Sequence, residues 1–162
     1  DVEGIKALVK KIVAKNIVVT VEIIGGGEGT EHFVKALLDA GASVNNHGFI
    51  FDEIDKARIL SNCDFGLNMM LSHLVVGLTT KSVDYFSLGL PIINTIKEDT
   101  EKLVCDRNVG VNYTGDISQI IELDTDAIRD MKKSSYKCYQ DLMTSEGLYS
   151  TVHDALNGNG II

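Results

Sequence analysis

A short stretch from Thr79 to Asn94, TTKSVDYFSLGLPIIN, groups the residue types that bind a phosphorylated ligand. Thr79 or Thr80 can cap a helix whose first turn holds Lys81, so that free backbone N–H groups and a cation face the same space. Helix N-termini of this kind bind phosphate. Asp84 lies one turn further along the same face, where a carboxylate can accept hydrogen bonds from two vicinal hydroxyls, as in a ribose. The stretch therefore predicts a phosphate and ribose site, with a plain Lys81–Asp84 surface ion pair as the alternative.

A glycine-rich loop in EIIGGGEGTEHF is the second candidate, because it places Gly26 and Gly27 between a predicted strand and a predicted helix. Glycines permit a tight turn and close backbone approach to a ligand. In open parallel sheets, ligands bind at the carboxyl ends of the strands, which favours a ligand-facing loop over a plain turn. Thr30 and Asn45 stand where the dinucleotide fingerprint needs a glycine and an acidic residue, and this argues against a nicotinamide dehydrogenase domain.

The elements that position these loops follow from hydrophobic periodicity. A helix with one buried face opens the chain, and strands are predicted at IVVTVEII, ASVNNHG, DFGLNMM, PIINT and VGVNY. Helices are predicted between them at about 30–40, 53–62, 80–88 and 99–106, and IVVTVEII is expected to be covered on both faces. The alternation predicts an α/β fold, a Rossmann-like open parallel sheet flanked by helices. After Tyr113 only helices are expected, with Asp116 or Thr125 as caps, before a polar tail ending NGNGII.

The composition of the chain argues against several classes of binding partner. The 162 residues form one expected domain, 1–162, with a net charge of −8, which has the wrong sign for binding a nucleic acid polymer. Three widely spaced cysteines predict neither a disulfide framework nor a metal site. Cysteines read as reduced thiols indicate a cytoplasmic protein, and no apolar run approaches the ~20 residues that span a bilayer. Any peripheral membrane association would come from regions outside this sequence.

From its first helix to Tyr113, the chain resembles the C-terminal, donor-binding domain of GT-B fold glycosyltransferases, in the retaining group related to glycosyltransferase family four. The landmarks are EIIGGGEG, VNNHGFI, LSNCDFGL, TTKSVDYFSLGLPIIN and EKLVCDRNVGVNY, in family order and spacing. The resemblance implies transfer of a sugar from a nucleoside diphosphate donor, of the UDP or GDP type, to a glycan or lipid-linked acceptor bound by a separate N-terminal domain. It implies no cofactor and no metal, and polysaccharide assembly is the common setting of such relatives. The isolated chain is expected to bind the donor without turning it over.

The resemblance also implies roles for individual residues. Asp84 takes the position of the family acid that binds the donor ribose, and the backbone near Phe49 and Ile50 faces the base. His73 and Glu28 are further candidates for donor contact, with an exposed or packed side chain as the alternative for each. The diphosphate is expected to lie against six residues, namely Gly26, Gly27, Gly77, Thr79, Thr80 and Lys81.

Two departures from the family pattern leave the catalytic residues unassigned. Val76 stands where the family has an acid that contacts the transferred sugar. The chain begins DVEGIK, without the Arg and Lys-Gly that grip the diphosphate in the family, so this segment either lies upstream or is lacking in this branch. A non-catalytic nucleotide-sugar-binding subunit, partner to a transferase, is therefore the alternative function.

Overall fold

The computed structural model describes residues 1–71, 73–74 and 76–156, in which helices and parallel strands alternate as predicted. The strands are β1 (Thr20–Ile23), β2 (Ser43–Asn46), β3 (Gly66–Asn68), β4 (Ile92–Asn94) and β5 (Gly110–Asn112). The helices are α1 (Val2–Val13), α2 (Thr30–Asp39), α3 (Glu53–Leu60), α4 (Thr80–Ser87), α5 (Asp99–Arg107), α6 (Ser118–Ile121), α7 (Thr125–Leu142) and α8 (Ser145–Leu156). The predicted α/β class is confirmed.

The strands form two open parallel sheets, so the prediction of one continuous sheet is wrong. β1 pairs with β2 in one sheet, and the other has the order β3-β4-β5. Within the described residues no strand joins β1 to β3. The periodicity of a sequence predicts strands but not which edges meet, and this is why the break was not foreseen.

The first strand is also shorter and less covered than its apolar sequence predicts. IVVTVEII contributes only Thr20–Ile23 to β1, and Val18 before it is 87% exposed. Val21 is buried, whereas Thr20 is exposed. The face of β1 that carries Thr20 and Glu22 is therefore only partly covered, and the expectation of full cover on both faces is wrong.

Helix α1 ties the two sheets together. Its amphipathic sequence starts after Asp1, whose side chain accepts a hydrogen bond from the Gly4 N–H. Val9 packs in a cluster with the β1–β2 sheet, and Leu8 packs in a cluster with Ile93 of β4. Ile5 contacts both clusters. One face of α1 thus contributes to the cores of both sheets.

A third core cluster lies between the β3-β4-β5 sheet and helices α4, α5 and α7. Phe86 of α4 is fully buried there, and Tyr85 is half-buried. The apolar spacing of Tyr85, Phe86 and Leu88 predicts that all three face the core, but Leu88 is 36% exposed and lies at the C-cap. Gly89 follows with φ 67° and ends the helix, as predicted for Gly-Leu-Pro.

Among the described residues only helices follow Tyr113, as predicted, but the N-cap of α7 is one residue earlier than predicted. Asp124, not Thr125, caps α7 by accepting a hydrogen bond from the Ala127 N–H at 2.8 Å. Asp116 accepts from the Ser118 N–H at the start of α6. The predicted polar tail NGNGII lies outside the described residues. In the described part of the chain, no helix is long and apolar enough to cross a membrane.

Candidate functional site

The N-terminus of α4 is the centre of the candidate site. Thr79 is extended (φ −87°, ψ 154°), and its hydroxyl accepts a hydrogen bond from the Ser82 N–H at 3.1 Å, so Thr79 is the cap of the two predicted candidates. The N–H groups of Thr80 and Lys81 have no intrahelical partner, because they belong to the first turn. Both residues are exposed. The helix therefore offers two backbone donors and an ammonium group at one end.

Three asparagines at the carboxyl ends of β3, β4 and β5 hold this helix end in place. Asn68, Asn94 and Asn112 are aligned across the sheet, and the first two are 3% and 1% exposed. Asn68 donates to Asn94 Oδ1 at 3.0 Å, and Asn94 donates to Asn112 Oδ1 at 2.8 Å. The Thr79 hydroxyl donates to Asn68 Oδ1 at 3.0 Å. We call these three residues the asparagine ladder, and it links the start of α4 to the carboxyl edge of the sheet.

Sequence reasoning missed the asparagine ladder. Its signal is an asparagine that ends three successive apolar strands, in DFGLN, PIIN and VGVN. A buried amide needs hydrogen-bond partners, and three such residues at equivalent positions supply them to one another. Recurrence of a polar residue at one position of successive parallel strands is the pattern that would have indicated it.

The glycine loop has backbone conformations that glycine adopts readily and other residues rarely adopt. Gly25, Gly27 and Gly29 have φ of 119°, 143° and 93°, a region that favours glycine. The Gly25 N–H donates to the Gly48 carbonyl, and the Thr30 hydroxyl donates to the Gly27 carbonyl at 2.9 Å. Gly26 and Gly27 are exposed at the carboxyl end of β1. The loop is fixed at both ends and its middle is open to solvent.

The segment predicted to face a nucleotide base packs against this loop. A Cβ atom added at Gly26 would lie 3.0 Å from the Phe49 ring, so the absence of a side chain at Gly26 makes room for that ring. Phe49 is 66% exposed and stacks on Phe51 with ring centroids 6.2 Å apart, whereas Ile50 is half-buried. An exposed aromatic pair beside a glycine loop is a surface on which a planar base can stack.

Asp84 lies beside a lysine other than the one the sequence suggests. Its carboxylate is 4.0 Å from Lys56 Nζ of α3, and no ion pair joins Lys81 to Asp84 among the described residues. The alternative of a plain Lys81–Asp84 surface pair is therefore wrong. Lys81 remains exposed, and half of the Asp84 side chain (52%) is accessible to solvent. Asp84 can still accept a hydrogen bond from a hydroxyl group.

The other candidate residues lie in the loops around α4 and β1. His73 and Glu28 are exposed, and Val76 is half-buried. Gly77 is exposed, and its carbonyl accepts a hydrogen bond from the buried Thr100 hydroxyl at 3.3 Å. This bond ties the loop before α4 to the start of α5.

A cavity of about 740 Å³ brings two of the predicted regions together. It is bordered by Lys81 and Tyr85 on one side and by β1 as far as Ile24, next to the glycine loop, on the other. Gly26, Gly27 and Asp84 do not line this cavity. The cavity thus includes Lys81 and Ile24, the residue before the glycine loop, but not the loop itself, and Asp84 lies on the surface beside Lys56.

A polar cluster that sequence reasoning did not single out lies on the uncovered face of the β1–β2 sheet. Glu22 contacts the His47 ring nitrogen at 2.6 Å and accepts from Asn45 Nδ2 at 2.8 Å. The hydrogen bond with His47, and then that with Asn45, lowers the pKa of Glu22 below its ordinary value. Alternating polar residues in TVEII and SVNNH are the signal for this uncovered face.

We expect His47→Ala to raise the pKa of Glu22 toward its ordinary value, because the largest stabilisation of the carboxylate is removed. Since the folded-state pKa is lowered, the stabilisation from Glu22 is present at neutral pH and is lost as the pH falls through that pKa. A carbon NMR titration of the Glu22 carboxyl group measures the shift. His32→Ala, at an exposed histidine of α2, is the matched control and should leave the titration unchanged. An unchanged Glu22 midpoint in His47→Ala would contradict the pairing.

Within the described residues, no group of three or more His, Cys, Asp or Glu side chains is arranged to hold a metal ion. Comparison of the chain with known protein families and with curated proteins gives no match.

Proposed function

We propose that this chain is the donor-binding domain of a retaining GT-B glycosyltransferase that takes its sugar from a nucleoside diphosphate. The observation that carries the proposal is the free N-terminus of α4, with Lys81 in its first turn, held at the carboxyl edge of a parallel sheet by Thr79 and Asn68. The glycine loop follows β1 at its carboxyl end, and its Gly26 and Gly27 are exposed to solvent. This arrangement supports binding of a diphosphate between the two regions.

The chemistry of such a transfer depends on the leaving group. When the bond between the sugar and the diphosphate breaks, negative charge develops on the phosphate oxygens. The Thr80 and Lys81 N–H groups are donors fixed at the helix N-terminus, and together with the Lys81 ammonium they stabilise this charge. Asp84 accepts from the ribose hydroxyls, and the surface formed by Phe49 and Phe51 takes the base. The acceptor glycan or lipid-linked sugar binds a separate N-terminal domain.

A nucleotide-sugar-binding subunit without catalytic activity is the second candidate, and Val76 is the observation that favours it. In the resembling family this position holds an acid that contacts the transferred sugar, and valine cannot accept a hydrogen bond or carry charge. Both candidates require the same donor site. Sugar transfer by the complete wild-type protein would exclude the subunit.

The donor site is tested by calorimetric titration of the chain with UDP, GDP, UMP and NAD. We expect one nucleoside diphosphate to bind more tightly than its monophosphate, because α4 offers its donors to the second phosphate. Lys81→Ala should weaken diphosphate binding roughly tenfold or more, since a hydrogen bond to a charged group contributes ~1.5–3 kcal/mol. The affinity for UMP should fall less in Lys81→Ala than the affinity for the diphosphate. Asp84→Ala should weaken binding of the nucleoside monophosphate and of the diphosphate alike, through the ribose.

Lys10→Ala is the matched control, because it removes one exposed lysine from the last turn of α1 and leaves α4 unchanged. It should bind like the wild type. If no nucleotide binds, or if Lys81→Ala binds as tightly as Lys10→Ala, the site is not a diphosphate site and the resemblance is one of fold alone.

A further inference from the structure

Strand β5 forms one edge of the β3-β4-β5 sheet, and among the described strands it pairs only with β4. The Val109 carbonyl and the Tyr113 N–H form their backbone hydrogen bonds with residues of β4. In a parallel strand, residues that bond to one neighbour alternate with residues that face the other side. The backbone N–H and C=O groups of Gly110 and Asn112 therefore point away from the sheet.

These outward-facing backbone groups have no partner in the described part of the chain. No loop, helix or side chain within that part forms a hydrogen bond with the backbone of Gly110 or Asn112. An unpaired strand edge is a template for pairing with another polypeptide. An extended peptide binds such an edge through backbone hydrogen bonds and adds a strand to the sheet.

A cavity of about 420 Å³ runs along this edge. Its lining includes the consecutive residues Gly110, Val111 and Asn112. Side chains alternate between the two faces of a strand, so a space that touches consecutive residues lies along the backbone edge. The cavity therefore lies where the backbone groups of Gly110 and Asn112 are free.

Helices lie on both faces of the sheet at this cavity. Val104 of α5 packs in the cluster that contains Ile92, whereas Ile120 of α6 packs in the cluster that contains Ile93. Ile92 and Ile93 are consecutive in β4, so their side chains lie on opposite faces of the sheet. The cavity is thus a slot at the sheet edge, with α5 on one face and α6 on the other, and we call it the edge slot.

The edge slot combines an apolar floor with a polar rim. Its apolar residues include Val104, Val111 and Met131, which are buried. Asn108 and Gln119 lie at the rim, and both are exposed. An apolar floor accepts an apolar side chain, and exposed amide groups can both donate to and accept from a peptide backbone.

The charge of the edge slot indicates the kind of peptide that it binds. Among the described residues that line it, Glu122 alone is charged. Glu122 is exposed, and no ion pair of the described residues includes it. The chain has a net charge of −8, so a second copy is repelled and a basic ligand is attracted.

We propose that the outer edge of β5 binds an extended, basic peptide segment of a partner protein. The segment adds a strand beside β5 through the backbone groups of Gly110 and Asn112. Because side chains alternate along a strand, one apolar side chain enters the edge slot while a lysine or arginine lies beside Glu122. This interaction does not depend on the proposed nucleotide site at α4.

Hydrogen exchange followed by NMR tests the proposal with a synthetic heptapeptide of alternating lysine and valine. In the chain alone, the Gly110 and Asn112 amides should exchange at least about tenfold faster than the Tyr113 amide, which is bonded to β4. Saturating peptide should slow the Gly110 and Asn112 amides at least about tenfold and leave Tyr113 unchanged. A heptapeptide of alternating glutamate and valine should protect neither amide, because Glu122 repels it.

Glu122→Lys should reverse this preference between the two peptides. We expect it to weaken binding of the lysine peptide about fivefold at low ionic strength and to improve binding of the glutamate peptide. Glu31→Lys is the matched control, since it makes the same charge change at an exposed residue in the first turn of α2. It should keep the wild-type preference.

Several results would overturn the proposal. One is the absence of protection at the highest soluble concentration of the lysine peptide, and another is an equal effect of Glu122→Lys and Glu31→Lys. Protection of Gly110 and Asn112 that rises with the concentration of the chain alone would mean that a second copy occupies the edge. Slow exchange in the chain alone that becomes fast on removal of residues 157–162 would mean that the chain's own last residues occupy it.

Discussion

Replacing Asn94 with alanine is expected to lower the free energy of unfolding by about 4 kcal/mol. Asn94 is 1% exposed, accepts from Asn68 and from the Ile96 N–H, and donates to Asn112 and to the Ile96 carbonyl. Alanine leaves these groups without partners, and each buried unsatisfied group costs ~1–3 kcal/mol. Denaturant unfolding followed by circular dichroism measures the change.

Asn45→Ala is the matched control for this substitution. Asn45 also lies on a strand, but it is exposed and its side chain donates one hydrogen bond, to Glu22. We expect a loss of about 0.5–1 kcal/mol. Equal losses in Asn94→Ala and Asn45→Ala would contradict a cooperative role for the asparagine ladder.

Asn94→Ala is also expected to affect ligand binding. Asn94 accepts a hydrogen bond from Asn68, and Asn68 accepts one from Thr79 at the start of α4. At a temperature where Asn94→Ala is still folded, its affinity for a nucleoside diphosphate should fall although Asn94 is buried beneath the site. Unchanged affinity in the folded variant would show that the asparagine ladder stabilises the sheet without positioning the helix.

The elements of the fold were predictable because each carries a local signal. The spacing of Ile5, Leu8 and Val9 predicts α1, and the short, largely apolar or alternating stretches between the helices predict all five strands. The pairing of the strands was not predictable in the same way. A break between β1 and β3 depends on which edges meet in space, and no pattern within either strand reports it. The partial exposure of β1 has the same origin, since Thr20 is exposed and Glu22 is only half-buried.

The candidate site shows the same division between local and distant determinants. The cap at Thr79 and the helix end at Gly89 are properties of a few neighbouring residues, and both were predicted. The partner of Asp84 was not predicted, because Lys56 approaches from α3, 28 positions away in the chain. The asparagine ladder was missed because its three residues are meaningful only once β3, β4 and β5 are placed side by side.

We expect Gly110→Ala to destabilise the fold by about 3 kcal/mol or more. Gly110 pairs with Ile92 where β5 begins, and its φ of 153° is one that residues with a Cβ rarely adopt. A Cβ atom here would overlap the carbonyl oxygen and nitrogen of Ile92, which are backbone atoms of a fully buried residue and cannot move aside. Overpacking costs ~1–3 kcal/mol, and the left-handed backbone adds about 1 kcal/mol.

Gly115→Ala separates the two causes of this loss. Gly115 also has a positive φ, 108°, but no atom lies within 4 Å of the position of its Cβ. It should therefore show only the backbone cost, about 1 kcal/mol. Denaturant unfolding of both variants measures the difference, which reports the close approach of β5 to β4. Equal losses would mean that the two strands are further apart at Gly110, and the alignment of Asn94 with Asn112 two residues later would then fail as well.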